Sequence, residues 1–114
     1  MPYIEVKTSI KLDNNQRDDL EKKLVNVVAS AFGKPKQYIM TNIEDNKILY
    51  MADDEVSKGA YIAISLLGTA SRSACQASTS EICQILQNDY GVNGSNVYVT
   101  YHPVDLWGWN GSMF

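Results

Sequence analysis

The chain has 114 residues, enough for one domain with its own core and too few for two. Hydrophobic residues make up 45% and charged residues 20%, a globular balance that argues against a disordered chain. The net charge is −3, Lys and Arg are scattered, and no run reaches membrane-spanning length; a nucleic-acid or membrane partner is therefore not expected.

Met1-Pro2 opens the first element with no leader before it, so a cytoplasmic protein is expected. Removal of Met1 would leave Pro2 as a secondary amine on a rigid ring. In an apolar pocket such an amine loses proton affinity and approaches the neutral state that suits a general base. Pro at position 2 is also what ordinary methionine trimming leaves, so the motif by itself decides nothing. Tyr3 to Ile10 alternates, with Ile4, Val6, Thr8 and Ile10 on one side and Tyr3, Glu5, Lys7 and Ser9 on the other, which predicts a half-buried strand.

Asp13 followed by Gln16 has the spacing of a capping box. The predicted helix carries Leu20, Leu24, Val27, Val28 and Ala31 on one stripe; Gly33 stops it and Pro35 forbids continuation. Residues 37–44 read as a second strand, and Lys47 to Ala52 as its hairpin partner across an Asp45-Asn46 turn. Asp53 to Lys58 reads as a polar loop, and Ala60 to Leu67 as a central strand apolar on both faces.

A second helix is expected to start at Ser71 or Ser73, bury Ser78, Ile82, Ile85 and Leu86, and end at Gly91; Asn96 to His102 alternates as another strand. The tail from Asp105 to Phe114 holds both tryptophans and a terminal Phe. A tail this aromatic must pack on something, since most are polar and frayed. Cys75 and Cys83 fall eight apart on the second helix, about 12 Å along its axis, too far for a disulfide. The lone His102 has no second ligand at metal spacing.

The halves repeat: Tyr3-Ile4 answers Tyr61-Ile62, Gly33 answers Gly91, and Tyr38 answers Tyr98, at spacings of 58, 58 and 60. A duplicated βαβ unit predicts an α+β two-layer fold, with a four-stranded mixed sheet and both helices on one face. The other face, carrying half of the apolar 60–67 strand, would call for a partner subunit. The duplication alone also fits a ferredoxin-like module.

The motifs in combination narrow this. Met1-Pro2, Gly33-Lys34-Pro35 with Gln37-Tyr38-Ile39, Leu67-Gly68, Val97-Tyr98-Val99, and Gly108-Trp109-Asn110-Gly111-Ser112 with Phe114 together resemble the macrophage migration inhibitory factor family of the tautomerase superfamily, along one domain spanning 1–114. The resemblance implies a cofactor-free keto–enol tautomerase acting on a small aromatic α-keto acid such as phenylpyruvate or hydroxyphenylpyruvate. It implies a homotrimer with three active sites at subunit interfaces. Pro2 would be the catalytic base, Lys34 and the Leu67 N–H would hold the substrate carboxylate, and Tyr98 would reach in from the neighbouring subunit. Tyr3, Tyr38, Trp107, Trp109 and Phe114 would wall the pocket, with Thr100 standing where many members carry a substrate-contacting Asn. No metal or cofactor is implied. The alternative that the resemblance carries is a cytokine-like protein, secreted by a leaderless route and binding a cell-surface receptor of the invariant-chain type. The family's Cys-x-x-Cys is replaced by Gly59-Ala60-Tyr61-Ile62, so its thiol redox role does not transfer.

Overall fold

A computed structural model describes all residues 1–114. The elements run β1 (Pro2–Thr8), α1 (Asn14–Phe32), β2 (Met40–Glu44), β3 (Tyr50–Met51), β4 (Asp54–Glu55), β5 (Ala60–Leu67), α2 (Arg72–Tyr90), β6 (Val97–Val104), β7 (Gly108–Trp109) and β8 (Ser112–Met113). The main sheet has the order β2-β1-β5-β6. β1 runs parallel to β2 and antiparallel to β5, and β5 runs parallel to β6. This is the expected α+β layer pair, built from two βαβ units whose first strands meet at the centre of the sheet.

Local chemistry explains why each helix begins and ends where it does. The Asp13 side chain accepts from the Gln16 N–H at 2.8 Å while the Gln16 side chain accepts from the Asp13 N–H at 2.9 Å, satisfying two donors at the α1 start. Gly33 closes α1 in the left-handed region at φ 62°, open to glycine without steric cost. The Ser71 hydroxyl caps α2 by accepting from the Ala74 N–H at 3.2 Å.

The core lies between the sheet and the helices. Ile4 and Val6 of β1, Ile62, Ile64 and Leu66 of β5, Leu20, Leu24 and Val28 of α1, and Ile82 and Leu86 of α2 are all essentially inaccessible. Burying each such side chain is worth about 1.5–3 kcal/mol before chain entropy is subtracted. The two helices are also tied at their outer face, where the Lys23 ammonium pairs with Asp19 at 3.0 Å and Asp89 at 2.6 Å.

Several expectations need correction. The 47–52 segment does not pair with the second strand; β2 pairs only with β1, while Tyr50–Met51 makes a small hairpin with Asp54–Glu55. The segment expected to be a polar loop thus supplies a strand, because Ala52 and Asp53 both adopt positive φ and turn the chain within two residues. Tyr38 belongs to a 3-10 turn over Lys36–Tyr38, not to the strand. Its structural counterpart is Asn96 of the turn Gly94–Asn96, and Tyr98 answers Met40, since Tyr3 pairs with Met40 as Tyr61 pairs with Tyr98. The repeat therefore keeps its spacing of 58 throughout, and the expected match of Tyr38 to Tyr98 at 60 is not a structural one. Finally, β5 is not equally apolar on its two faces. Ala60, Ile62, Ile64 and Leu66 are buried against the helices, while Tyr61, Ala63, Ser65 and Leu67 face the other way. There they share the open face with Glu5, Lys7, Thr100 and His102.

Candidate active site

Pro2 begins β1, is buried, and is paired with Leu66 in the centre of the sheet. Beside it opens a cleft of about 710 Å³ lined by Met1, Pro2, Tyr3, Gln37, Tyr38, Ile39, Met40, Trp107, Gly108 and Trp109. The 3-10 turn after α1 brings Tyr38 to one wall. The C-terminal hairpin brings the indoles to the other.

Two hydrogen bonds tie polar groups to the chain terminus beside the cleft. The Leu67 N–H donates to the Met1 carbonyl at 3.3 Å. The Lys34 ammonium donates to the Leu67 carbonyl at 3.3 Å, reaching across from the end of α1. Burial first, and then the Lys34 charge, lower the pKa of the Met1 α-amine from its ordinary value. A cation and an apolar lining thus bear on the chain terminus in the sense that keeps an amine unprotonated. With Met1 attached, the Pro2 nitrogen is an amide and has no basic lone pair.

The walls are aromatic and mutually braced. Trp109 meets Tyr38 edge-on at 5.5 Å and stacks on Phe114 at 5.9 Å, both arrangements that the ring quadrupole favours. The Phe114 N–H donates to the Trp107 carbonyl at 3.0 Å, closing the tail on itself. Pro2, Tyr3, Tyr38, Trp107 and Trp109 therefore converge on one cleft, Lys34 and Leu67 connect to it through the Met1 carbonyl, and Phe114 stacks on Trp109.

Tyr98 and Thr100 lie apart from their own chain's cleft. Leu66, the partner of Pro2, pairs with Pro103, and Tyr98 is five residues further along β6, about 16 Å at ordinary strand rise. Tyr98 is 64% exposed. Thr100 is held within the chain, its hydroxyl 2.9 Å from the Tyr61 hydroxyl and 2.8 Å from His102 Nε2. Gln37, Ile39, Met40 and Gly108 also line the cleft, although none was among the expected site residues. The lining of Ile39 and Met40 follows from the 3-10 turn, which no strand periodicity signals.

The macrophage migration inhibitory factor (MIF) family model matches residues 1–114. The chain belongs to the MIF family. A macrophage migration inhibitory factor of Xenopus laevis is 28% identical over 116 residues, covering 100% of this chain and 99% of that protein. Among solved structures, MIF2 of Leishmania major superposes with a TM-score of 0.91 at 24% identity, covering 100% of this chain and 97% of that one. The wild-type Q0 fused 4-OT, described as a symmetric trimer, superposes with a TM-score of 0.84 at 16% identity, covering 97% and 94% of the two chains. At such identities the structures establish the shared fold. No helix of this MIF-family chain is long and apolar enough to cross a membrane.

Proposed function

We propose that this MIF-family chain, once Met1 is removed, is a cofactor-independent keto–enol tautomerase of aromatic α-keto acids. The observation that carries the reading is the corner where the Leu67 N–H, the Lys34 ammonium and the chain terminus meet under an aromatic cleft. Loss of Met1 vacates the acceptor of the Leu67 N–H and turns the Pro2 nitrogen into a secondary amine. A substrate carboxylate then takes the place of the Met1 carbonyl, held by that N–H and balanced by Lys34. The substrate ring lies between Tyr38 and the indoles of Trp107 and Trp109. Its α-carbonyl and acidic C–H come within reach of Pro2, which takes the proton from carbon and returns it to oxygen, or the reverse. A base so placed contributes about 10² to 10⁴ in rate, and the apolar walls keep it neutral and dry.

The site is completed by a neighbouring copy in a homotrimer. Tyr98 is too far along its own strand to serve its own Pro2, and its exposure leaves it free to enter another subunit's cleft. The fused 4-OT relative, itself a symmetric trimer, has the same fold. A cytokine-like role with receptor binding goes with the family name; it predicts that Pro2→Gly retains receptor binding while losing catalysis.

The substrate reading is tested with hydroxyphenylpyruvate and its methyl ester, followed in the ultraviolet. Lys34→Ala is expected, at a pH above the acidic limb, to raise KM for the acid on the order of tenfold or more, the range of one charge-assisted contact, and to leave KM for the ester unchanged. Equal use of acid and ester by the unsubstituted protein would refute carboxylate recognition at this corner.

A further inference from the structure

The sequence contains the tripeptide Asn-Gly-Ser twice, at Asn93-Gly94-Ser95 and Asn110-Gly111-Ser112, and the fold treats the two copies in opposite ways. Asn93 is tied down. Its side-chain oxygen accepts from both the Ser95 N–H and the Ser95 hydroxyl at 2.9 Å, and its carbonyl accepts from the Asn96 N–H at 2.9 Å. Asn110 is exposed, and its side chain has no partner. It forms with Gly111 the two-residue loop between Trp109 and Ser112, which pair across the hairpin. Both loop residues have positive φ, 51° and 80°, the type I′ geometry for which Asn-Gly is the preferred pair. The Gly111 N–H stands outside the backbone hydrogen bonds, and nothing lies within 4 Å of where a Gly111 Cβ would be. No backbone bond or neighbouring atom holds this side of the loop closed.

From this contrast we propose that Asn110-Gly111 is a spontaneous covalent modification site, at which the hairpin that walls the cleft is converted to an isoaspartyl loop while Asn93 is spared. In the step, the Gly111 nitrogen loses its proton and attacks Asn110 Cγ. The Cγ–Nδ2 bond breaks, ammonia leaves, and a five-membered succinimide forms. Water opens the ring at either carbonyl. Opening at the Asn110 main-chain carbonyl routes the backbone through Cβ and Cγ and adds one methylene to it. One water is consumed, one ammonia is released, and nothing is oxidised or reduced. Attack requires the turn to open, and a hairpin with two paired residues in each strand holds itself closed only marginally.

The added methylene falls inside a loop whose length sets the strand register. Trp109 can then no longer face Ser112 while also stacking on Phe114 and meeting Tyr38, and the Phe114–Trp107 bond at the hairpin base loses its geometry. The wall of the cleft is thereby loosened by age. The modification stands independently of the reaction assigned above; only its effect on activity rests on that reading.

The full-length protein, held folded at physiological temperature and mildly alkaline pH, is sampled over weeks by peptide mapping for isoaspartate. Residue 110 is expected to convert several-fold faster than residue 93, and the difference to vanish in concentrated urea. Equal conversion in the folded protein, or faster conversion at 93, would overturn the proposal. Emission from the two tryptophans should shift red in step with isoaspartate and stay unshifted in Asn110→Gln, which forms the ring far more slowly. Asn110→Asp carries the new charge without the longer backbone and keeps the turn chemistry, so it should retain the emission of fresh protein. If Asn110→Asp reproduces the shift, or if isoaspartate accumulates with no shift, the loosening of the wall is refuted. Absence of tautomerase activity in fresh protein would count against the proposed reaction and leave the modification untouched.

Discussion

The nitrogen of Pro2 changes character with a single cleavage, from an amide that carries no base to an amine buried at the mouth of an aromatic cleft. Lys34 acts on the chain terminus: after burial, its charge is the second cause that lowers the pKa of the Met1 α-amine. On the proposed reading it acts in the same sense on the Pro2 amine once Met1 is gone, so its removal would raise that pKa. The sign follows directly: a higher amine pKa means more of the protonated, inactive form at a given pH. In the processed protein Lys34→Gln is therefore expected to move the acidic limb of the kcat/KM profile toward higher pH. An unmoved limb would show that Lys34 does not act on the base. Gly59 makes a different point at the same scale. A Cβ there would lie 2.8 Å from Val56 Cγ1 and 3.0 Å from the Asn96 carbonyl oxygen, and the Gly59 carbonyl already accepts from the Thr8 hydroxyl at 2.6 Å. Gly59→Ala is expected to destabilise the fold by about 1–3 kcal/mol, the range for overpacking, as measured by urea denaturation. The position thus excludes the cysteine that the family resemblance would put there, on steric grounds that composition cannot reveal.

Among the elements, those with strong local signals were legible. Asp13 with Gln16, the stripe through Leu20, Leu24 and Val28, and Gly33 at the stop predicted α1, and the structure carries both capping-box bonds. Asp13→Ala is expected to cost about 0.5–2 kcal/mol and to lower Tm without changing the rate of the remaining folded protein. The alternation of β1 was equally plain, as was the aromatic tail's need to pack. The partner of β2 was not legible. Lys47 to Ala52 has strand-like residues at hairpin distance, but the positive φ of Ala52 and Asp53 turns Tyr50–Met51 onto Asp54–Glu55 and leaves the outer edge of β2 unpaired. The 3-10 turn at Lys36–Tyr38 was missed for a related reason: three residues are too few to show a period. That miss hid Gln37, Ile39 and Met40 from the cleft. The identities of Pro2, Lys34, Tyr38 and the tryptophans came from a family pattern, and their convergence became visible only when the 3-10 turn and the tail hairpin were placed in space.

At the scale of the whole molecule, the exposed apolar side chains gather at two unlike ends. Tyr98, Tyr50 and Ile48 are exposed at one, and Met40, Trp109 and Met113 near the cleft at the other. Unlike surfaces that complement each other give a head-to-tail contact, and such a contact is soluble only if it closes into a ring. The homotrimer proposed above is such a ring. Sedimentation equilibrium is expected to give three times the chain mass of 12.7 kDa. Tyr98→Phe should reduce kcat on the order of 10²-fold, as for loss of one preorganised donor, without changing that mass. Refolding an equal mixture of Pro2→Gly and Tyr98→Phe chains should restore activity, because some interfaces then join an intact Pro2 to an intact Tyr98. Two inactive parents that stay inactive when mixed would place Tyr98 outside the site.

The claim on which all of this depends is that the working base is the terminal amine of Pro2, and one comparison addresses it. Tautomerisation of hydroxyphenylpyruvate is measured for the processed protein, for a form that keeps Met1, and for Pro2→Gly, each verified by intact mass. The processed protein is expected to be faster than both others by about 10² to 10⁴, the usual contribution of a positioned base. Equal rates for the three forms would contradict the account.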